Sequence, residues 1–127
     1  MFNDSLLIDR TTTLSFELHN NSSSLEIDKK SYFLDFKTNF NIVSLSLPNN
    51  SLFDSLSGIY VDGPNAQYDS ILSKINGCAS MTNSNFTKKK ERKVYVEIFD
   101  DSGKRILNQY AGLRIFGGLT RYYPEKS

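Results

Sequence analysis

The 127-residue sequence predicts a mainly β fold, with antiparallel strands in a meander, one long irregular connection and one short helix. Three observations point there. Apolar and polar residues alternate in several short runs, the period of a half-buried strand. Turn-forming clusters such as Asn20–Ser24 and Asp100–Gly103 separate those runs. Only one short segment, Asn50–Leu56, reads as helical before the long connection begins.

The elements follow in order. Residues 1–10 have weak periodicity and read as a loose end. In Thr11–Leu18, Leu14, Phe16 and Leu18 alternate with Ser15 and Glu17. The run Asn20–Ser24 turns the chain, and Leu25 and Ile27 resume the pattern around Glu26, so a hairpin over about 11–28 is expected. Ser31–Phe36 is apolar and aromatic. Asn41–Leu47 alternates at Val43, Leu45 and Leu47 and is the clearest early strand; Pro48, which has no N–H for a ladder, ends it. Ser51 and Asp54 have the spacing of a helix-start box, with Asp in place of Glu. Gly58 stops that helix, and Ile59–Val61 reads as a short strand.

From Asp62 to Lys90 the chain changes character, and a connection this long is usually functional or mobile. Lys88, Lys89 and Lys90, with Arg92 and Lys93, form a charge run that reads either as a solvated loop end or as a contact for an acidic partner. Val94–Phe99 is a strand with Val94, Val96 and Ile98 on one side. Asp100–Gly103 turns, Lys104–Leu107 returns, and Tyr110–Phe116 forms a further strand on which Arg114 faces away from Leu113 and Ile115.

Composition bounds the function. Hydrophobic content of 39% and charged content of 23% are ordinary for a globular domain. A net charge of +1 supplies no bulk field toward nucleic acid or anionic membrane, so no nucleic-acid partner is expected. No apolar run reaches the roughly 18 residues of a membrane span. The opening MFNDSLLIDR lacks a basic start, an apolar stretch and a small-residue cleavage site; the chain is either cytoplasmic or without its leader. The single cysteine, Cys78, excludes an internal disulfide and a cysteine-based zinc site, and the lone His19 gives neither a metal site nor a catalytic triad. Asp100 and Asp101 read as turn formers, and no Walker-type phosphate loop is present. No catalytic residue and no metal ligand is assigned.

One cluster carries chemistry. Arg114, Gly117, Gly118, Thr120, Arg121 and Lys126 lie close together near the C-terminus. Paired glycines let the backbone turn with positive φ, and a hydroxyl with three cations suits a phosphate or another anion. A tight turn with ordinary surface cations is the other reading.

The stretch AGLRIFGGLTRYYPEKS resembles the signature of the CotH (spore coat protein H-like) kinase family. Ala111, Gly112, Arg114, Gly117, Gly118, Arg121, Pro124, Lys126 and Ser127 match it, Thr120 stands for its Ser and Leu113 for its Ile. Upstream, Glu91, Arg92, Val94, Glu97, Phe99, Asp100 and Gly103 are in register with a second family block, where Lys93 replaces the usual Pro and Lys90 the usual Trp. Asn85-Phe86 fits the pair that precedes that Trp. A third block matches at Val43, Ser44, Leu45, Leu52, Phe53, Asp54, Gly58, Ile59, Tyr60, Val61 and Gly63, with Tyr32-Phe33 before it.

The resemblance spans about residues 31–127 and implies the N-terminal lobe of an atypical protein-kinase-like fold. It places the end of a small β-sandwich-like module or linker at 1–36 and the kinase-like portion at 37–127. For the full-length family it implies ATP and Mg²⁺ as cofactors, phosphoryl transfer to Ser of a protein substrate, and an extracellular or cell-surface location. The family's Asp and Asn motifs lie beyond Ser127, so the chain as given is expected to bind phosphates without transferring them. Arg114, Arg121 and Lys126 are expected to face those phosphates or to hold the β-lobe in the shape that does; alternatively, Arg114 and Arg121 pair with acids elsewhere in the fold. An unpaired sheet edge and an uncovered face are also expected, with marginal stability. Two other readings stay open: a non-catalytic extracellular β module for surface attachment or protein interaction, and a degenerate remnant without activity.

Overall fold

The computed structural model describes residues 7–35 and 37–126. Phe36, read above as the end of an apolar run, Ser127 of the resemblance and the first six residues of the loose end lie outside the described residues. The fold is mainly β, as its alternation predicts. Two compact units interleave along the chain: residues 1–46 with 95–110, and residues 47–94 with 111–127.

In the first unit, β1 (Thr12–His19) and β2 (Ser24–Tyr32) form an antiparallel hairpin. It is longer than the expected 11–28, because Thr12 and Thr13 pair with Tyr32 and Ser31. The Asn20 side chain makes the turn: its Oδ1 accepts from the N–H groups of Ser22 (2.9 Å) and Ser23 (2.8 Å). The register shifts once, between Phe16 and Glu17.

A three-stranded sheet follows in the order β3 (Ile42–Ser46), β6 (Arg92–Phe99) and β7 (Arg105–Leu113). The β6–β7 turn is the expected Asp/Gly turn. Gly103 has φ 80°, and its N–H donates to the Asp100 carbonyl at 2.9 Å. The Asp100 carboxylate accepts from the Ser102 hydroxyl and from the N–H groups of Lys104 and Ser102, which holds its pKa below the usual value. In this unit the buried face of β6 is Tyr95, Glu97 and Phe99, while Val96 and Ile98 are half-buried. Phe33 packs edge-on against Phe99, with centroids 5.2 Å apart.

The second unit departs from expectation at three places. Ile59–Val61 is not a strand. The N–H of Ile59 donates to the Ser51 carbonyl (3.0 Å) and that of Tyr60 to Leu52 (2.9 Å), so these residues close off the carbonyls of α1 (Asn50–Phe53) instead of joining a ladder. A Cβ on Gly58 would lie 2.4 Å from the Leu52 carbonyl oxygen, so only glycine fits this return. Asp54 does not begin the helix. It follows α1 and caps the next turn, accepting from the N–H groups of Leu56 (3.0 Å) and Ser57 (2.8 Å).

The connection over 62–90 is not wholly irregular. β4 (Gln67–Tyr68) pairs antiparallel with β5 (Met81–Thr82), and α2 (Ser70–Asn76) lies between them. The Asp69 carboxylate caps α2 through the Leu72 N–H at 2.8 Å, and Gly77 ends it at φ 67°. Among the described residues there are therefore two short α-helices where one was expected.

The third departure is at the end of β7. The strand stops at Leu113, so Arg114 is not on a strand facing away from its neighbours. Among the described residues, no helix is long and apolar enough to cross a membrane.

Candidate functional site

The second unit holds a cleft of about 270 Å³ where two segments converge. One wall carries Lys88 and Lys89; the other carries Arg114, Gly117, Gly118 and Arg121.

The lysine wall stands on an anchored turn. Asn85–Thr87 is a short 3-10 turn, and Asn85 and Phe86 are buried. The Asn85 N–H donates to the Asp62 carbonyl at 2.7 Å, and its side-chain amide donates to the Ser55 carbonyl at 3.2 Å. The Thr87 hydroxyl donates to the Ser84 carbonyl at 2.7 Å. Lys88 reaches back to the Asn85 side-chain oxygen at 3.2 Å. The chain thus leaves a fixed base with two lysines lining the cleft, one of them tied to Asn85.

The arginine wall begins where β7 ends. The Arg114 guanidinium lies over the Phe116 ring, 5.8 Å from its centroid. Gly117 has φ 106°, a backbone state that residues with side chains rarely adopt. Next comes a 3-10 turn, Thr120–Tyr122. Arg121 in that turn donates from Nε to the Gly118 carbonyl at 3.1 Å, which braces the glycine loop. The space beside Gly118 is open, with nothing within 4 Å of where a Cβ would sit.

Among the described residues, four cations and no carboxylate line this cleft. Among the described residues, neither Arg114 nor Arg121 has an ion-pair partner. Like charges gathered around one space raise its positive potential, and an anion with several acceptor oxygens relieves it. The volume is just below the roughly 300–1,000 Å³ of small-molecule pockets, which suits a phosphate-bearing group better than a whole nucleotide.

The structure thus brings together Arg114, Gly117, Gly118 and Arg121. Thr120 opens the neighbouring 3-10 turn and does not line the cleft. Lys126 also stands apart from it. Its ammonium lies 4.3 Å from the Phe86 ring centroid and 5.8 Å from that of Tyr60, and donates to the Tyr123 carbonyl at 3.0 Å. Its N–H donates to the Tyr60 hydroxyl at 2.8 Å. These contacts fasten the segment that carries Lys126 onto the aromatic residues. Lys88 and Lys89 join the site from the charge run, which sequence spacing did not connect to the glycines.

A second polar cluster, in the first unit, was not singled out by sequence. Glu97 is fully buried. It accepts from the Ser31 hydroxyl (2.6 Å), the Ser31 N–H (3.0 Å) and Arg105 (3.1 Å). Arg105 also donates to the Lys29 carbonyl at 2.9 Å, and its pKa is raised chiefly by the bond to Glu97. The Ser31 hydroxyl further contacts those of Ser44 and Thr13, each at 2.9 Å. This network, which Arg105 extends to Asp28 at 4.0 Å, holds the hairpin to the sheet.

The donor sets decide which cofactors fit. The cleft suits the phosphates of ATP. It does not suit Mg²⁺, which takes oxygen ligands, because it offers no carboxylate. Among the described residues, no group of three or more His, Cys, Asp or Glu is placed to hold a metal ion. Comparisons with protein-family models, curated proteins and solved structures give no significant match for the chain.

Proposed function

We propose that the chain binds phosphate groups through the cleft between Lys88-Lys89 and Arg114-Arg121, as part of the N-terminal lobe of a CotH-like protein kinase. The observation that carries this reading is the convergence of four cations on a glycine loop with no carboxylate among them. Arginine forks and lysine ammonium groups hold phosphate oxygens through charge-assisted bonds. The loop through Gly117 and Gly118 leaves room for the anion to approach the backbone.

In a kinase of this kind, ATP supplies the phosphoryl group and a protein Ser accepts it, outside the cell or at its surface. Phosphoryl transfer depends on positioning and on cations that neutralise developing charge. Arg114, Arg121, Lys88 and Lys89 supply that cationic part. No transfer step is assigned to them, because no acid beside them holds a metal ion or orients an acceptor.

Titration calorimetry with inorganic triphosphate tests the reading. Wild type should bind with an affinity that falls as salt rises, since the contacts are exposed charges. Joint Arg114→Ala and Arg121→Ala substitution should weaken binding about tenfold or more, the loss of at least one charge-assisted pair. Lys126→Ala should leave the affinity unchanged. Absence of binding by wild type at low salt would overturn the proposal. The second reading, a β module for protein contact, rests on the exposed apolar side chains of Phe16, Leu18 and Leu25 on the hairpin. It predicts no phosphate binding.

A further inference from the structure

β3 is one of the two edge strands of the three-stranded sheet, paired on one side only, where Ile42–Ser46 run against Phe99–Tyr95 of β6. Alternate N–H and C=O groups of an edge strand point away from its neighbour. Among the described residues, the outward groups of β3 meet no hydrogen-bond partner. The usual protections of an edge are missing as well. From Asn41 to Leu47 there is no charged residue and no proline, and the pairing with β6 contains no bulge.

The two faces of β3 differ. Ser44 points to the covered face, where its hydroxyl meets that of Ser31. Val43 (59% exposed) and Leu45 (47% exposed) lie on the other face, beside their half-buried partners Ile98 and Val96. An occupant of this edge must therefore bring a strand and, on the same side, an apolar face.

We propose that a second copy of this chain docks here, β3 against β3, antiparallel about a twofold axis through Ser44. That axis sets Val43 opposite Leu45 of the second copy and Ile42 opposite its Ser46. Both apolar faces then fall on one side of a continuous six-stranded sheet. Self-pairing brings no like charges together, because the segment carries none. For the same reason a charged foreign strand finds no complementary partner on this edge. The interface is small, so a weak dimer is expected, with dissociation in the range of about 10–100 μM.

Sedimentation equilibrium of the full chain from about 1 to 200 μM tests this, a range that brackets the expected dissociation constant. Wild type should fit a monomer–dimer equilibrium. Val43→Lys and Leu45→Lys should each weaken it about tenfold or more, since each sets a charged lysine opposite an apolar residue of the second copy. Leu18→Lys, on the equally exposed hairpin tip, should leave it unchanged. Cross-linking gives a second measurement. In a Cys78→Ser background, Val43→Cys and Leu45→Cys chains mixed and oxidised should form the mixed disulfide in excess over either homodimer, because directly opposed residues bring their Cβ atoms within bridging distance. A monomer at every concentration, masses growing past the dimer, loss of association in Leu18→Lys alone, or excess homodisulfides would each overturn the proposal.

Discussion

The two units use the same cations in opposite ways. In the first, Arg105 is committed: it holds Glu97, which is fully buried, and a backbone carbonyl, so its charge is spent inside the fold. In the second, Arg114 and Arg121 meet no acid among the described residues and line an open cleft with Lys88 and Lys89. A buried carboxylate turns an arginine into a brace. Its absence leaves the arginine available to a ligand. Residue type alone therefore does not separate a structural cation from a receptive one.

The sharpest way to break this contrast is at Glu97. Glu97→Ala removes the buried acceptor that Ser31 and Arg105 share and leaves Arg105 with only the Lys29 carbonyl and the more exposed Asp28, 4.0 Å away. We expect a loss of about 3 kcal/mol in unfolding free energy, in the range found when one member of a buried pair is deleted. Urea unfolding measures it, and a change below about 1 kcal/mol would mean that the network is not what holds the hairpin to the sheet.

The reverse experiment belongs to the cleft. Arg114→Ala with Arg121→Ala should cost triphosphate affinity and shift unfolding by no more than about 0.5 kcal/mol, as for surface substitutions away from special features. Lys126→Ala should behave the other way, losing about 1 kcal/mol of cation–π and hydrogen-bond contact with affinity intact. If all three alanine changes moved affinity together, Lys126 would belong to the phosphate site after all.

The smallest effect is at the rim of the first unit. Tyr110 donates to the Glu26 carboxylate, which lowers the Glu26 pKa below 4.5 and pushes the Tyr110 pKa up to about 12. The stability tied to Glu26 is present above pH 4.5 and lost as pH falls through its lowered value. That tied to Tyr110 is present below pH 10 and lost as pH rises through about 12. The stability difference between wild type and Tyr110→Phe should be flat between those limits and shrink outside both. A difference independent of pH would show that the contact is packing alone.

Much of the fold was legible because alternation is a local property. The runs around Leu14, Val43 and Val94 became strands, and the Asp100–Gly103 turn formed where Asp and Gly placed it. α2 also had its signals, Asp69 before it and Gly77 after it, with Ile71, Leu72 and Ile75 between. Those signals are weak in a seven-residue helix, and the polar flanks hid them. Ile59–Val61 looked like a strand because β-branched and aromatic residues favour one, but carbonyls of α1 captured the N–H groups of Ile59 and Tyr60. Periodicity counts side chains and cannot count carbonyls.

The site divides in the same manner. Arg114, Gly117, Gly118 and Arg121 were visible together because they are neighbours in sequence. Lys88 and Lys89 were visible only as a charge run, since their place opposite the glycine loop depends on Asn85 being buried. Glu97 was hidden for another reason. An acid within an alternating strand reads as solvent-facing, and only Ser31 and Arg105, distant in the chain or across a turn, make its burial tolerable.

The return at Gly58 also bears on how amide protons leave this protein. Ile59 and Tyr60 belong to no helix and no sheet, yet both amides are held by carbonyls of α1, and Ile59 is 2% exposed. Their exchange with solvent deuterium should be slow, at the pace of ladder residues, while the neighbouring amide of the exposed Leu56, held only by the Asp54 side chain, should exchange fast. A protection map of this chain would draw a strand at 59–60 where there is a clasp.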